Sequence, residues 1–154
     1  MSKPFPLQKI PKVDLDLDSV RKIANAWSAS CLGHGVVFYR EEDGTVPFLE
    51  WFEDLGEKAQ DKCLVRIERL KELGHELRRP EADLLRDGIY ELRTKHQRVN
   101  YRMLYFFHRQ EAVVLSHGIT KQQDEVPPSE IDRAIERRNR FAADPGRHTF
   151  EEGD

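Results

Sequence analysis

At 154 residues the chain is long enough to bury one core and too short for two independent ones. Its 38% apolar and 34% charged residues, with eight Phe, four Tyr and two Trp, exclude an intrinsically disordered chain. The net charge of −3 conceals a basic centre, because residues 86–121 carry seven Lys and Arg against three Asp and Glu, whereas residues 34–85 and 122–154 are acidic.

Residues 1–35 read as an N-terminal extension. A Pro-punctuated start is followed by a short helix that Asp18 or Ser19 caps, with Val20, Ile23, Ala24, Trp27 and Cys31 on one face. VVFYREE, from Val36 to Glu42, is a strand by its β-branched and aromatic content, and Asp43-Gly44 turns it. Pro47 then opens a helix carrying Phe48, Trp51, Phe52 and Leu55, which Gly56 interrupts. The second arm of this helical hairpin stripes Ala59, Cys63, Ile67 and Leu70 along one side and ends at Gly74.

Three strands are predicted next: GIYELRTK over Gly88 to Lys95, YRMLYFF over Tyr101 to Phe107, and AVVLSHGI over Ala112 to Ile119. Their short connections fit antiparallel hairpins. After Pro127-Pro128, Ser129 is placed to cap a helix from Glu130 to about Phe141, and residues 142–154 read as a fraying tail. The order predicts an α+β domain over residues 36–141, with an antiparallel sheet and its helices on one face.

No stretch reaches the ~20 apolar residues of a membrane span, and MSKPFPLQKIPK lacks the apolar segment of a secretory signal, so no membrane partner and a cytoplasmic location are expected. Cys31 and Cys63 lie in no metal or redox spacing and read as packing residues. HExxH, Walker-type, GxGxxG and GxSxG motifs are missing from the sequence, so neither a metal nor a cofactor is expected.

Strand alternation puts Tyr90, Leu92 and Thr94 on one face and Glu91, Arg93 and Lys95 on the other. Arg102 sits among apolar residues, where a guanidinium needs a partner, and Glu91 is the candidate. With Lys121 at the end of the last strand, Arg93, Lys95 and Arg102 form a set that suits a phosphodiester. Cleaving RNA needs a base, an acid and cations to stabilise the phosphorane, and Arg and Lys supply the last. His96 begins the turn after the basic strand and is the acid/base candidate; a solvated turn residue is the equal alternative. His117, inside an apolar strand, reads as a hydrogen-bonded core residue, and His34, His75 and His148 as solvated surface.

LRDGIYELRTKH, VNYRMLYFF and VVLSHGITKQQDEVPPSEIDRAIERRNRF, preceded by VVFYREEDG and PFLEWFEDL, resemble the RelE/ParE toxin superfamily in its phage-derived HigB-like branch, over about Val36 to Phe141. The resemblance implies a toxin of a type II toxin–antitoxin module with a small antiparallel RelE-like sheet. It further implies a metal-independent endoribonuclease that cuts messenger RNA on the ribosome and is silenced by a cognate antitoxin, commonly a HigA-like helix-turn-helix protein. The family's basic positions fall on Arg93, Lys95, Arg102 and Lys121. Gln122 stands where many relatives carry a second basic residue, and Pro127-Pro128-Ser129 occupies the region of the usual C-terminal aromatic. The alternatives are a non-enzymatic ParE-type gyrase inhibitor and a decayed toxin that only binds its antitoxin.

Overall fold

The computed structural model describes residues 35–109, 112–121 and 125–150. The helix expected within residues 1–35, with Cys31 and His34, lies outside the described residues, as does Gln122. The elements are β1 (Gly35–Phe38), α1 (Pro47–Glu53), α2 (Glu57–Leu73), a 3-10 turn (Gly74–Glu76), β2 (Ala82–Arg86), β3 (Ile89–His96), β4 (Val99–His108), β5 (Ala112–Lys121) and α3 (Pro128–Ala143).

Two of the three helices among the described residues, α1 and α3, begin with a proline, where the chain needs no backbone donor. Pro47 and Pro128 stand in the first turns of α1 and α3, where a missing N–H costs nothing. Ser129, expected as the cap of α3, therefore falls inside the helix, whose cap position is Pro127. Buried Gln60 donates its amide N–H to the Phe52 carbonyl at 2.8 Å, beside the Leu55 N–H that the same oxygen accepts at 3.1 Å, and so ties the two arms of the hairpin together. The stripe Ala59, Cys63, Ile67 and Leu70 is the buried face of α2, and burial pushes the Cys63 thiol up to about 12, as suits an inert packing residue.

The strands form one sheet in the order β1-β5-β4-β3-β2, antiparallel except for β1, which runs parallel to β5. The expectation of a purely antiparallel sheet is thus corrected to a mixed one. A strand was also missed: β2 pairs with β3 through a two-residue turn, Asp87-Gly88, both at positive φ (53° and 82°). Gly88 belongs to that turn and β3 begins at Ile89.

Both faces of the sheet are covered, which corrects the one-sided packing. Leu92, Met103, Tyr105, Val113 and Leu115 pack with α1 and α2, while Ile89, Leu104, Phe106, Val114 and Ile119 pack with Ile131, Ala134 and Phe141 of α3. A bulge in β5 leaves Ser116 as an extra residue, since Leu115 pairs Tyr105 and His117 pairs Leu104. The described part of the expected tail packs back onto β1: Phe150 N–H donates to the Phe38 carbonyl at 3.0 Å, and the His148 ring stacks on Tyr39 at 5.1 Å. His148, expected as solvated surface, is 3% exposed. The fold is α+β, a mixed five-stranded sheet with a helical hairpin and a C-terminal helix.

Candidate functional site

Register decides which cations meet. On the α3 face, Arg93 pairs Arg102, which pairs Ile119; one row further out, Lys95 pairs Asn100, which pairs Lys121. Adjacent strands lie about 4.8 Å apart, so the backbones of Lys95 and Lys121 are separated by about 10 Å. Alternation carries His96 to the opposite face with Tyr90, Leu92 and Thr94, so it does not join this row. The loop between β3 and β4 is only Gln97 and Arg98, and Arg98 is exposed there.

The cations of this surface differ in how they are held. Arg102 is buried and donates from Nη1 to Glu91 Oε1 at 2.6 Å, the partner the sequence suggested. Glu91, itself buried, also lies 3.2 Å through Oε2 from Arg93 Nε. Arg93 reaches Asp83 of β2 at 3.4 Å, and Arg79 binds the same Asp83 oxygen at 2.8 Å. The Arg79 bond holds the Asp83 carboxyl below its ordinary range despite the opposing pull of burial. Three guanidiniums here share two carboxylates, and Arg102 Nε is buried without a hydrogen-bond acceptor among the described residues, while Arg93 Nε meets Glu91 in an ion pair without hydrogen-bond geometry. Lys95 is exposed. Asp83 and Arg79 went unremarked in the sequence, because nothing local signals that a charged loop will reach across a sheet edge.

A second polar network joins the sheet to α3. His117 Nδ1 meets the Ser116 hydroxyl at 2.7 Å and Arg137 Nη1 at 3.0 Å, while Nε2 faces Glu130 Oε1 at 2.9 Å. A guanidinium only donates, so Nδ1 accepts and Nε2–H donates to Glu130. Burial, and then the Arg137 charge, lower the His117 pKa to about 4. Arg137 also donates to Glu41 at 3.0 Å and stands over the Tyr39 ring. A serine, a histidine and a carboxylate are thus in line, yet Ser116 is 0% exposed and no substrate reaches it. The cluster is a structural strut, consistent with the reading of His117 as a bonded core residue.

Among the described residues no group of three or more His, Cys, Asp or Glu is arranged to hold a metal ion, and no helix is long and apolar enough to cross a membrane.

The family model that matches is described as "Phage derived protein Gp49-like (DUF891)" and covers residues 50–139. No curated protein matches the chain. This match corrects the assignment to the RelE/ParE superfamily and its HigB-like branch. The conclusions that rested on that assignment are withdrawn with it: the toxin, the messenger RNA endoribonuclease, and the gyrase-inhibitor and decayed-toxin alternatives. The physical reason is visible in the ion pairs. The strand cations onto which the resemblance placed that chemistry, Arg93 and Arg102, serve as internal partners of Glu91 and Asp83, so their spacing does not by itself indicate chemistry. With more than half of its length inside that match, the chain belongs to the phage-derived Gp49-like family.

Proposed function

We propose that the protein is a non-catalytic binding module that holds the phosphate backbone of a nucleic acid on the outer end of its α3-side sheet face. Lys95, which is exposed, leads the docking row, with Asn100 and Lys121 at the backbone positions paired beside it, and Arg93 backs it. The observation that carries this reading is the register, which sets two lysines and an amide on one row of three adjacent strands. Behind that row Arg93 and Arg102, with Arg79, face only the two carboxylates Glu91 and Asp83, which leaves one positive charge in excess there although the protein is net acidic. Phosphate contacts of this kind give affinity without sequence preference.

The test is fluorescence anisotropy of a labelled oligothymidylate over a salt series. Each lost phosphate contact is expected to reduce the slope of log K against log salt by about 0.7, so Lys95→Ala with Lys121→Ala should lower it by roughly 1.4. Identical slopes in the wild type and the double variant would remove the proposal. Equally, competition by polyglutamate at lower concentration than by the oligonucleotide would assign the surface to an acidic protein instead.

A further inference from the structure

On the opposite face, at the β2 edge, an open cavity of about 530 Å³ lies between the 79–80 loop and the sheet. Its volume is within the range of small-molecule sites, roughly 300–1,000 Å³. The floor is apolar: Ala82, Leu84 and Tyr90, with Leu77 at one end. Tyr90 is fixed from behind, stacked on Tyr105 at 5.3 Å and edge-on to Phe107 at 5.3 Å. Leu84 is 53% exposed, and only one other large apolar side chain among the described residues is exposed, Val65 on the outer side of α2. An exposed leucine beside an aromatic floor is the kind of surface that a ligand covers.

The rim supplies the polar half. Arg79 is committed to Asp83, whose Oδ1 also accepts the Leu84 N–H at 2.9 Å, so this carboxylate is compensated and its acceptor oxygens are in use. The same bond occupies a backbone donor of β2 and disfavours an added strand there. Arg78 is different. It is anchored through Nη1 on the His75 carbonyl and, among the described residues, Nε and Nη2 have no partner. The rim therefore presents one guanidinium edge in excess, suited to a two-oxygen anion, above an apolar floor.

We propose that this pocket binds an organic carboxylate with an apolar body, the carboxylate on Arg78 and the apolar body against Leu84 and Tyr90. The site is separate from the Lys95 row, and its test does not depend on nucleic acid. Full-length ¹⁵N-labelled protein is titrated with 3-phenylpropionate, and amide shifts are followed. For a probe this small the expected Kd is on the order of 1 mM, with saturating shifts confined to residues 77–84 and Tyr90. The neutral 3-phenylpropanamide is expected to bind at least tenfold more weakly, and Arg78→Ala to lose a similar factor while Arg78→Lys retains part of it. Leu84→Ser, on an exposed position that leaves the fold intact, should weaken binding several-fold. Equal affinity for acid and amide, unchanged binding in Arg78→Ala, or shifts scattered over the molecule would overturn the proposal. So would adenosine monophosphate saturating the same amides at lower concentration, which would make the ligand a nucleotide.

Discussion

His117 is neutral because burial, and then the charges of Arg137 and Arg133, outweigh Glu130, which accepts from Nε2 and favours the imidazolium; Ser116 from β5 and Arg137 from α3 occupy Nδ1. Its folded pKa of about 4 lies below the ordinary 6.5, so between those values the unfolded chain takes up a proton that the folded chain refuses. The group's contribution is therefore fully present above pH 6.5 and falls as the pH drops toward 4, by about 3 kcal/mol in all. Urea midpoints measured at neutral pH and near pH 4 check this, since His117→Gln should lose stability less steeply than the wild type; parallel losses would refute it. Gly118 makes a different demand. A Cβ there would sit 2.1 Å from the Trp51 ring, which Thr120 holds through a 2.9 Å bond from Trp51 Nε1. Gly118→Ala is expected to cost about 1–3 kcal/mol in urea denaturation, and a second change, Trp51→Leu, to return part of it.

At the scale of elements, the two turns of the β2-β3-β4 meander differ in quality. Asp87-Gly88 has the residues that a doubly positive-φ turn favours, whereas Gln97 (52°) and Arg98 (70°) adopt the same region with full side chains. Replacing Gln97-Arg98 by Asn-Gly should stabilise the protein by about 1 kcal/mol, a rise in Tm of roughly 2–4 °C for a chain of this size. An unchanged or lower Tm would mean that Arg98 makes a compensating contact. The same comparison explains what the sequence disclosed. Helices α1 and α2 and strand β3 were legible because their apolar residues recur with the right period, and β4 and β5 because they are short, nearly continuous runs of apolar, aromatic and β-branched residues. Strand β2 was legible too, through Asp-Gly between ADLLR and IYELR, but Leu84 and Leu85 in succession give no alternation and hid it. The pairing of Glu91 with Arg102 was legible from the need of a buried guanidinium for a carboxylate, whereas the second pair of contacts, Arg93 and Arg79 on Asp83, depends on register between strands and on the path of a loop, which no period encodes. Arg93, placed by alternation on the face away from Leu92 where a cation needs an anion or water, finds its anions within the protein, in Glu91 and Asp83.

Across the whole molecule, closure depends on the segment that follows α3. Phe150 joins the α1–α2 side of the core beside Phe38, while His148 and Tyr39 seal the α3 side. Arg40 completes the clasp by donating to the Arg147 carbonyl at 3.1 Å. Phe150→Ala should therefore cost about 3–5 kcal/mol, as a core truncation does, and not the near-zero change of a fraying end. Differential scanning calorimetry distinguishes the two. The charge distribution belongs to this scale as well: the basic centre seen in the sequence folds into strands whose arginines are largely consumed internally, leaving Lys95 and its row at the margin.

The parallel pairing of β1 with β5 has a consequence in time. During synthesis β1 leaves the ribosome before both helices of the hairpin and three further strands, and the strand it must pair with is the last one made. Until then the β2-β3-β4 meander can zip from its own tight turns, whereas β1 carries unpaired backbone and an apolar Val36 and Phe38 with no sheet to enter. The nascent chain is thus most exposed to misassociation at β1, the earliest strand among the described residues, and the arrival of β5 ends that interval.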